Sequence, residues 1–156
     1  MTSRNDLHLH SCYSDGTDTP KQILDTAKSI GVVNVAITDH DTIGAIKEAK
    51  EYASRIGLNY INGVELSTYS VMEVHILGYF MDLQDSDFQN LIKSQQQARI
   101  KQTKEIITLL KKKEGIKITF ESIIQQVAEG GSIGRPHIAK AITNAGSTFS
   151  VIEAYN

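Results

Sequence analysis

Apolar and polar positions alternate in the first half of the chain in a way that separates short strands from helices. Leu7 and Leu9 alternate with His8 and His10, the period of a short strand whose two faces differ. Ser11 to Asp18 is rich in Ser, Asp and Gly and predicts a loop. Thr19 and Pro20 then predict a helix start, with Thr19 as N-cap and Pro20 at the first helical position. Ile23, Leu24, Ala27 and Ile30 share one helical face, and Gly31 supplies a stop. Val32 to Ile37, dense in β-branched residues, predicts a buried strand that ends in the polar tetrad Thr38-Asp39-His40-Asp41. A second helix is expected from near Thr42, with Ile43, Ile46, Ala49, Tyr52 and Ala53 on one face and Gly57 behind it. Leu58 to Leu66 and Val74 to Phe80 predict two further strands.

The predicted order is β-α-β-α-β-β, which indicates an α/β sheet or barrel. Polar residues that do chemistry in such folds sit just past the carboxyl ends of strands. His8, His10, His40 and Glu65 all fall at or near such ends. From about Gln84 the pattern becomes helical. Phe88 to Glu114 predicts one helix of about 27 residues, ~40 Å long. Its apolar stripe is strong at both ends and weak between, and Arg99 lies seven residues from both Ile92 and Ile106, close to the same face. A charge in an inward stripe requires a partner. Further helices are predicted near Thr119 to Glu129, Arg135 to Asn144 and Phe149 to Tyr155.

Composition narrows the class. The chain has 156 residues, 40% hydrophobic and 22% charged, enough for one domain with a real core. A net charge of −2 argues against a protein built to coat nucleic acid. No apolar run approaches the ~20 residues of a membrane span, and Met1 to Asp6 lacks the apolar stretch of a signal peptide. Cys12 is the single cysteine, so there is no disulfide framework, and a cytoplasmic, reducing compartment is expected. With no local base pattern beside it, Cys12 reads as a loop or wall residue.

The candidate chemistry centres on histidine. His8 and His10, two apart on a strand, project from one face ~6.5–7 Å apart along the backbone, close enough to converge on one metal. An H-x-H pair alone is weak and often incidental. Its company raises its weight: Asp15 in the following loop, His40 between Asp39 and Asp41, Glu65 at the next strand end and His75 in the strand after. That is the mixed nitrogen and oxygen inventory of a zinc, manganese or iron site. Asp39 and Asp41 are also placed to cap the following helix, the preferred reading for Asp41, whereas His40 reads as a ligand.

The strings Asp6-Leu-His-Leu-His10-Ser, Ser14-Asp-Gly, Ile37-Thr-Asp-His-Asp-Thr42 and Gly63-Val-Glu65 resemble the polymerase and histidinol phosphatase (PHP) superfamily. Glu73-Val-His-Ile-Leu-Gly-Tyr and Gly134-Arg-Pro-His137-Ile-Ala resemble its stand-alone branch acting on nucleoside 3',5'-bisphosphates and short RNA 5' ends. The resemblance implies an α/β fold of the distorted (β/α)7 barrel type, with a helical insertion covering the site. It implies two to three divalent ions (Zn, Mn or Fe) held by His8, His10, Asp15, His40, Glu65 and His75, with Glu65 bridging. Asp15, His40 and Glu65 are the catalytic candidates, and Arg99, Arg135 and His137 the phosphate-binding ones. Residues 1–83 would be the metal-binding part of the barrel and residues 84–156 the helical lid. The expected reaction is phosphomonoester hydrolysis by hydroxide generated at the metals. The substrate would be a phosphorylated small molecule, a nucleotide 3'-phosphate or a short RNA 5' end, without membrane involvement.

One departure stands out. The family barrel has more strands than the four predicted here, and its later ligands, a His and an Asp-x-His pair, have no counterpart: after His75 only His137 remains. The sequence thus reads as the N-terminal portion of a longer protein, incomplete and weakly active or inactive alone. An open sheet edge would give it a route to self-association. Two other functions compete: a histidinol-phosphate-type small-molecule phosphatase, and a non-catalytic nucleic-acid-binding or polymerase-associated module. Lys101, Lys104, Lys111, Lys112 and Lys113 would serve the latter, although such runs are usually solvated faces.

Overall fold

A computed structural model describes residues 4–69, 72–147 and 154. Its opening unit alternates strand and helix: β1 (Arg4–Leu9), α1 (Pro20–Ser29), β2 (Val32–Ile37), α2 (Ile46–Ile56) and β3 (Asn59–Tyr60). β1, β2 and β3 form a parallel sheet in that order. Helix α1 starts where the sequence predicts. The Thr19 hydroxyl accepts from the Gln22 amide at 3.3 Å, while Gln22 Oε1 accepts from the Thr19 amide at 2.9 Å, which satisfies two otherwise orphaned N–H groups. Helix α2 ends on Gly57 at φ +73°, a left-handed turn that an L side chain resists. The inward faces of both helices meet β2 in one core: Leu24, Ala27, Val35, Ile37, Ala49 and Ala53 are all buried. Burying one such large aliphatic side chain stabilises by about 1.5–3 kcal/mol.

Leu58 to Leu66, expected as one strand, is two. The Ile61 amide still donates to the Val35 carbonyl at 2.9 Å, and then the chain leaves the parallel sheet. Gly63 permits the departure: a Cβ there would lie 2.7 Å from Thr38 Cγ2. β4 (Gly63–Tyr69) pairs antiparallel with β5 (Glu73–Tyr79), so the chain has five strands rather than four among the described residues. Two features tie this hairpin to the parallel sheet. His40 and Glu65 form a parallel bridge, and the Tyr79 hydroxyl donates to the Leu7 carbonyl at 2.7 Å. Val64 of β4 is buried, while Val74, Ile76 and Leu77 of β5 and the following Phe80 are exposed.

The helical half holds α3 (Ser86–Lys113), α4 (Phe120–Ile124) and α5 (Arg135–Asn144). Helix α3 is a single element of 28 residues, as its pattern predicts. Asp85 caps it by accepting from the Phe88 amide at 2.7 Å, and Lys111, Lys112 and Lys113 close its last turn, where cations suit the helix dipole. Helix α4 is shorter than the Thr119 to Glu129 expectation; turns replace its last part, and the Gly131 amide folds back to the Ala128 carbonyl at 2.8 Å. The helix expected over Phe149 to Tyr155 lies outside the described residues, apart from Ala154, which is helical. Ile118, Ile123, Ile133, Ile138, Ala141 and Ile142 form a second core, flanked by Ile100, Ile106, Ile107 and Leu110 of α3.

Candidate metal centre

The residues nominated as ligands converge from β1, the loop after it, the end of β2 and the hairpin. Glu65 and His75 are each the third residue of their strands, so Glu65 stands near the start of β4 rather than at a strand's carboxyl end. β1 departs from regular register between Asp6 and Leu9, a local irregularity of the kind that re-aims side chains next to sites. His8 Nε2 lies 3.0 Å from Glu65 Oε2, and His10 Nε2 lies 3.0 Å from the same oxygen. His10 Nδ1 is 3.1 Å from Asp15 Oδ1. His40, just past β2, places Nδ1 3.5 Å from Glu65 Oε2 and Nε2 3.5 Å from Asp15 Oδ2. His75 Nδ1 is 3.0 Å from the other Glu65 oxygen, Oε1. Three overlapping sets result: His8, His10 and Glu65; His10, Asp15 and His40; His40, Glu65 and His75. Within each set the ligand atoms lie within 4.8 Å of one another.

This donor set fits divalent cations. A buried carboxylate ringed by four imidazoles is the inventory that zinc, manganese or iron selects. His40 Nδ1 is buried with no hydrogen-bond partner among the described residues, a cost that a cation at that nitrogen would remove. Electrostatics point the same way. Burial pushes Asp15 and Glu65 up. Hydrogen bonds from His10 and His40 to Asp15, and from His8 to Glu65, outweigh it and hold both carboxyls below their ordinary values. Burial would lower His10, yet its hydrogen bond to Asp15 and the charges of Asp15 and Glu65 raise it above the usual imidazole value. These shifts favour positive charge beside His10, Asp15 and Glu65.

The polar loop residues around the cluster are fully committed. Asp39 is buried and accepts from the Ser11 amide at 2.7 Å, the Ser11 hydroxyl at 2.6 Å and the Ser14 hydroxyl at 2.6 Å. Asp41 does not cap a helix. Helix α2 begins later, at Ile46, and the Asp41 carboxylate turns the other way, accepting from the Ser67 amide at 2.8 Å and from Arg99 Nε at 2.5 Å. These serines and the two aspartates were not separable as a support layer from sequence, because each pairing joins positions 25 or more residues apart.

The arginines and His137 differ in setting. Arg99 finds the partner its stripe position demands: besides Asp41, it donates from Nη2 to Ser67 Oγ at 2.7 Å and from Nη1 to the Ile133 carbonyl at 2.9 Å. Arg135 is largely exposed and paired with Glu73, which also contacts His75 Nε2 at 3.3 Å. His137 is buried and its Nδ1 accepts from the Gly134 amide at 2.9 Å, which leaves Nε2 to carry the proton of the neutral ring. Burial lowers its pKa. A cavity of about 710 Å³ runs between these groups, lined among others by Ser67, Glu73, Gln95, Arg99, Gln102 and Arg135. Gly134, one of its lining residues, passes close to the cluster: a Cβ there would meet Asp15 Cβ at 3.2 Å. Cys12 is a free thiol raised by burial, then by the Asp39 and Glu48 charges, the opposite of an activated nucleophile.

The family model of the PHP domain matches residues 6–155. The chain belongs to the PHP domain family. Among curated relatives of this PHP chain, the 5'-3' exoribonuclease Rnm of Escherichia coli is 36% identical over 153 residues, covering 96% of the chain and 52% of the relative. The 3',5'-nucleoside bisphosphate phosphatase of Chromobacterium violaceum is 32% identical over 143 residues, covering 91% of the chain and 50% of the relative. The chain thus spans about half the length of the curated relatives it matches. A crystal structure of a protein provisionally assigned as a metal-dependent phosphoesterase, from Bifidobacterium adolescentis, superposes with a TM-score of 0.87 at 33% identity, over 99% of this chain and 55% of that one. The mixed α/β fold is therefore that of PHP phosphoesterases. No helix among the described residues is long and apolar enough to cross a membrane.

Proposed function

We propose that this PHP chain supplies one wall of a metal-dependent phosphoesterase site that hydrolyses a phosphomonoester of a nucleotide or short RNA. The observation that carries the reading is Glu65: both its oxygens are approached by imidazole nitrogens, His8 and His10 on one and His75 on the other, at 3.0 Å each. On this reading His8, His10, Asp15, His40, Glu65 and His75 would hold two to three divalent ions, with Glu65 as the bridging candidate. Such ions, when bound, make a water nucleophilic near neutral pH and neutralise phosphoryl charge. Asp15 and His40, which face each other at 3.5 Å, are with Glu65 the candidates to orient the reacting group.

Arg135 is the phosphate-gripping candidate. It is solvent-accessible and its present partner is a side chain, Glu73, that a phosphate can replace bidentately. His137, with a proton on Nε2 and burial around it, stands behind Gly134 and accepts from its amide. The 710 Å³ cavity has the size of a site for a small organic ligand, and the exoribonuclease and bisphosphate phosphatase relatives favour a nucleotide over histidinol phosphate. Residues 1–83 then form the opening part of a distorted (β/α)7-type barrel and residues 84–156 its lid, consistent with the parallel β1-β2-β3 order and the separate helical core.

Phosphate release from a nucleoside 3',5'-bisphosphate and from histidinol phosphate, with Mn²⁺ present, tests the assignment. In the complete protein, wild type should prefer the bisphosphate, and His8→Ala and Glu65→Ala should abolish both turnover and metal uptake. Retention of both in either variant would overturn it.

A further inference from the structure

We infer that Asp41 and Arg99 form a positioning pair that sets the geometry of the metal ligands from the lid, and that Arg99 acts through this pair rather than by gripping substrate. The inference rests on the metal-site reading above. Asp41 sits immediately after His40, is fully buried, and has φ +52°, a left-handed conformation that Asp tolerates better than most side chains. Its amide donates to the Glu65 carbonyl at 2.9 Å, so its backbone is locked to the residue proposed to bridge the metals. Its carboxylate has no oxygen to spare: Oδ1 accepts from the Ser67 amide at 2.8 Å, two residues beyond Glu65, and Oδ2 accepts from Arg99 Nε at 2.5 Å.

Arg99 closes the arrangement. Its Nε and Nη2 face the floor, on Asp41 and Ser67 Oγ, and Nη1 holds the Ile133 carbonyl of the loop leading to Arg135. The Nε–Nη2 edge is the fork that would grip a phosphate side-on, and here protein groups occupy it. Three elements, the loop after β2, strand β4 and helix α3, therefore meet on one buried carboxylate beside two proposed ligands. Groups that orient metal ligands from behind typically change metal affinity or activity by ~10–100-fold when removed.

Titrating the chain with Mn²⁺, followed by electron paramagnetic resonance, tests the pair directly in wild type, Asp41→Asn, Arg99→Lys, the double variant and Ser67→Ala. Asn keeps the shape and left-handed tolerance of Asp, and Lys keeps the charge of Arg without its fork. We expect each single variant to weaken Mn²⁺ binding by ~10–100-fold, with the double no weaker than the worse single, because the two act as one unit. Turnover of a nucleoside bisphosphate should show a fall in kcat with KM changed less than about twofold. If Asp41→Asn fails to fold, Arg99→Lys and Ser67→Ala carry the same readout. Folded variants that bind Mn²⁺ like wild type would overturn the inference alone. So would Arg99→Lys raising KM by about tenfold or more at unchanged Mn²⁺ affinity, since that marks direct substrate contact. Wild type that takes up no Mn²⁺ would overturn the metal reading and, with it, this pair.

Discussion

The parallel sheet with α1 and α2, and the helical half from α3 to α5, are held together by different physics. Each has its own apolar core, Leu24, Val35 and Ala49 in one and Ile123, Ile133 and Ile142 in the other. Where the two meet, the contacts are polar: Arg99 on Asp41 and Ser67, Arg135 on Glu73, the Thr42 hydroxyl on the Gly130 carbonyl at 2.7 Å, and the Ser132 amide on the Tyr13 carbonyl at 2.7 Å. Apolar cores give stability without direction, whereas hydrogen bonds specify a relative placement at modest net stabilisation. The proposed site lies beside this polar seam, so the seam fixes how the ligands face the arginines.

The largest expected effects separate the two cores. Leu24→Ala and Ile123→Ala should each cost about 2–5 kcal/mol of unfolding free energy, measurable by urea denaturation. Only Leu24→Ala should also weaken Mn²⁺ binding, because the ligands stand on its sheet; equal weakening by Ile123→Ala would erase the distinction. Next comes the carboxylate beneath the ligands. Asp39→Ala strips acceptors from Ser11 and Ser14 and should destabilise by about 1.5–3 kcal/mol, with metal affinity falling too, whereas Asp25→Ala on the surface should do neither. Smaller still is the seam itself. Thr42→Val leaves the Gly130 carbonyl without its donor and should cost about 1 kcal/mol, while lowering turnover more than metal affinity.

The smallest effect is the pH dependence of the metal-free chain. Asp15 and Glu65 are lowered in the fold, so their contribution is present above their unfolded values of 3.8 and 4.5 and is lost as pH falls through the folded ones. His10 is raised, so its contribution is full below its unfolded value of 6.5 and disappears as pH rises through the folded value. Thermal melts of metal-free protein should therefore peak between pH 4.5 and 6.5, and the peak should flatten in the Asp15→Asn variant.

Local signals were legible in the sequence and distant pairings were not. The Thr19-Pro20 start, the Gly57 stop and the single long α3 follow from chemistry within a few residues, and the structure has all three. The need of Arg99 for a partner was also legible, but its identity was not: Asp41 is 58 positions away and looked like a helix cap. Capping and long-range pairing ask for the same residue type, and only the tertiary fold chooses between them. The break between β3 and β4 was hidden for a related reason. Leu58 to Leu66 is strand-like on either side of the turn-type pair Asn62-Gly63, and where the chain departs depends on how closely Gly63 passes Thr38. For the site, the motif order nominated six side chains that do converge. Asp39, Ser11 and Ser14, polar residues in polar loops, and Ser67, a polar residue of β4, surround them and carry no mark of burial.

Anomalous diffraction from crystals of the chain grown with Mn²⁺ tests the central claim most directly. The account predicts peaks between the imidazoles and carboxylates of the cluster, one of them shared by Glu65 with His8 and His10, and none in crystals of Glu65→Ala. Crystals with Mn²⁺ bound elsewhere and no peak among His8, His10, His40, Glu65 and His75 would contradict it.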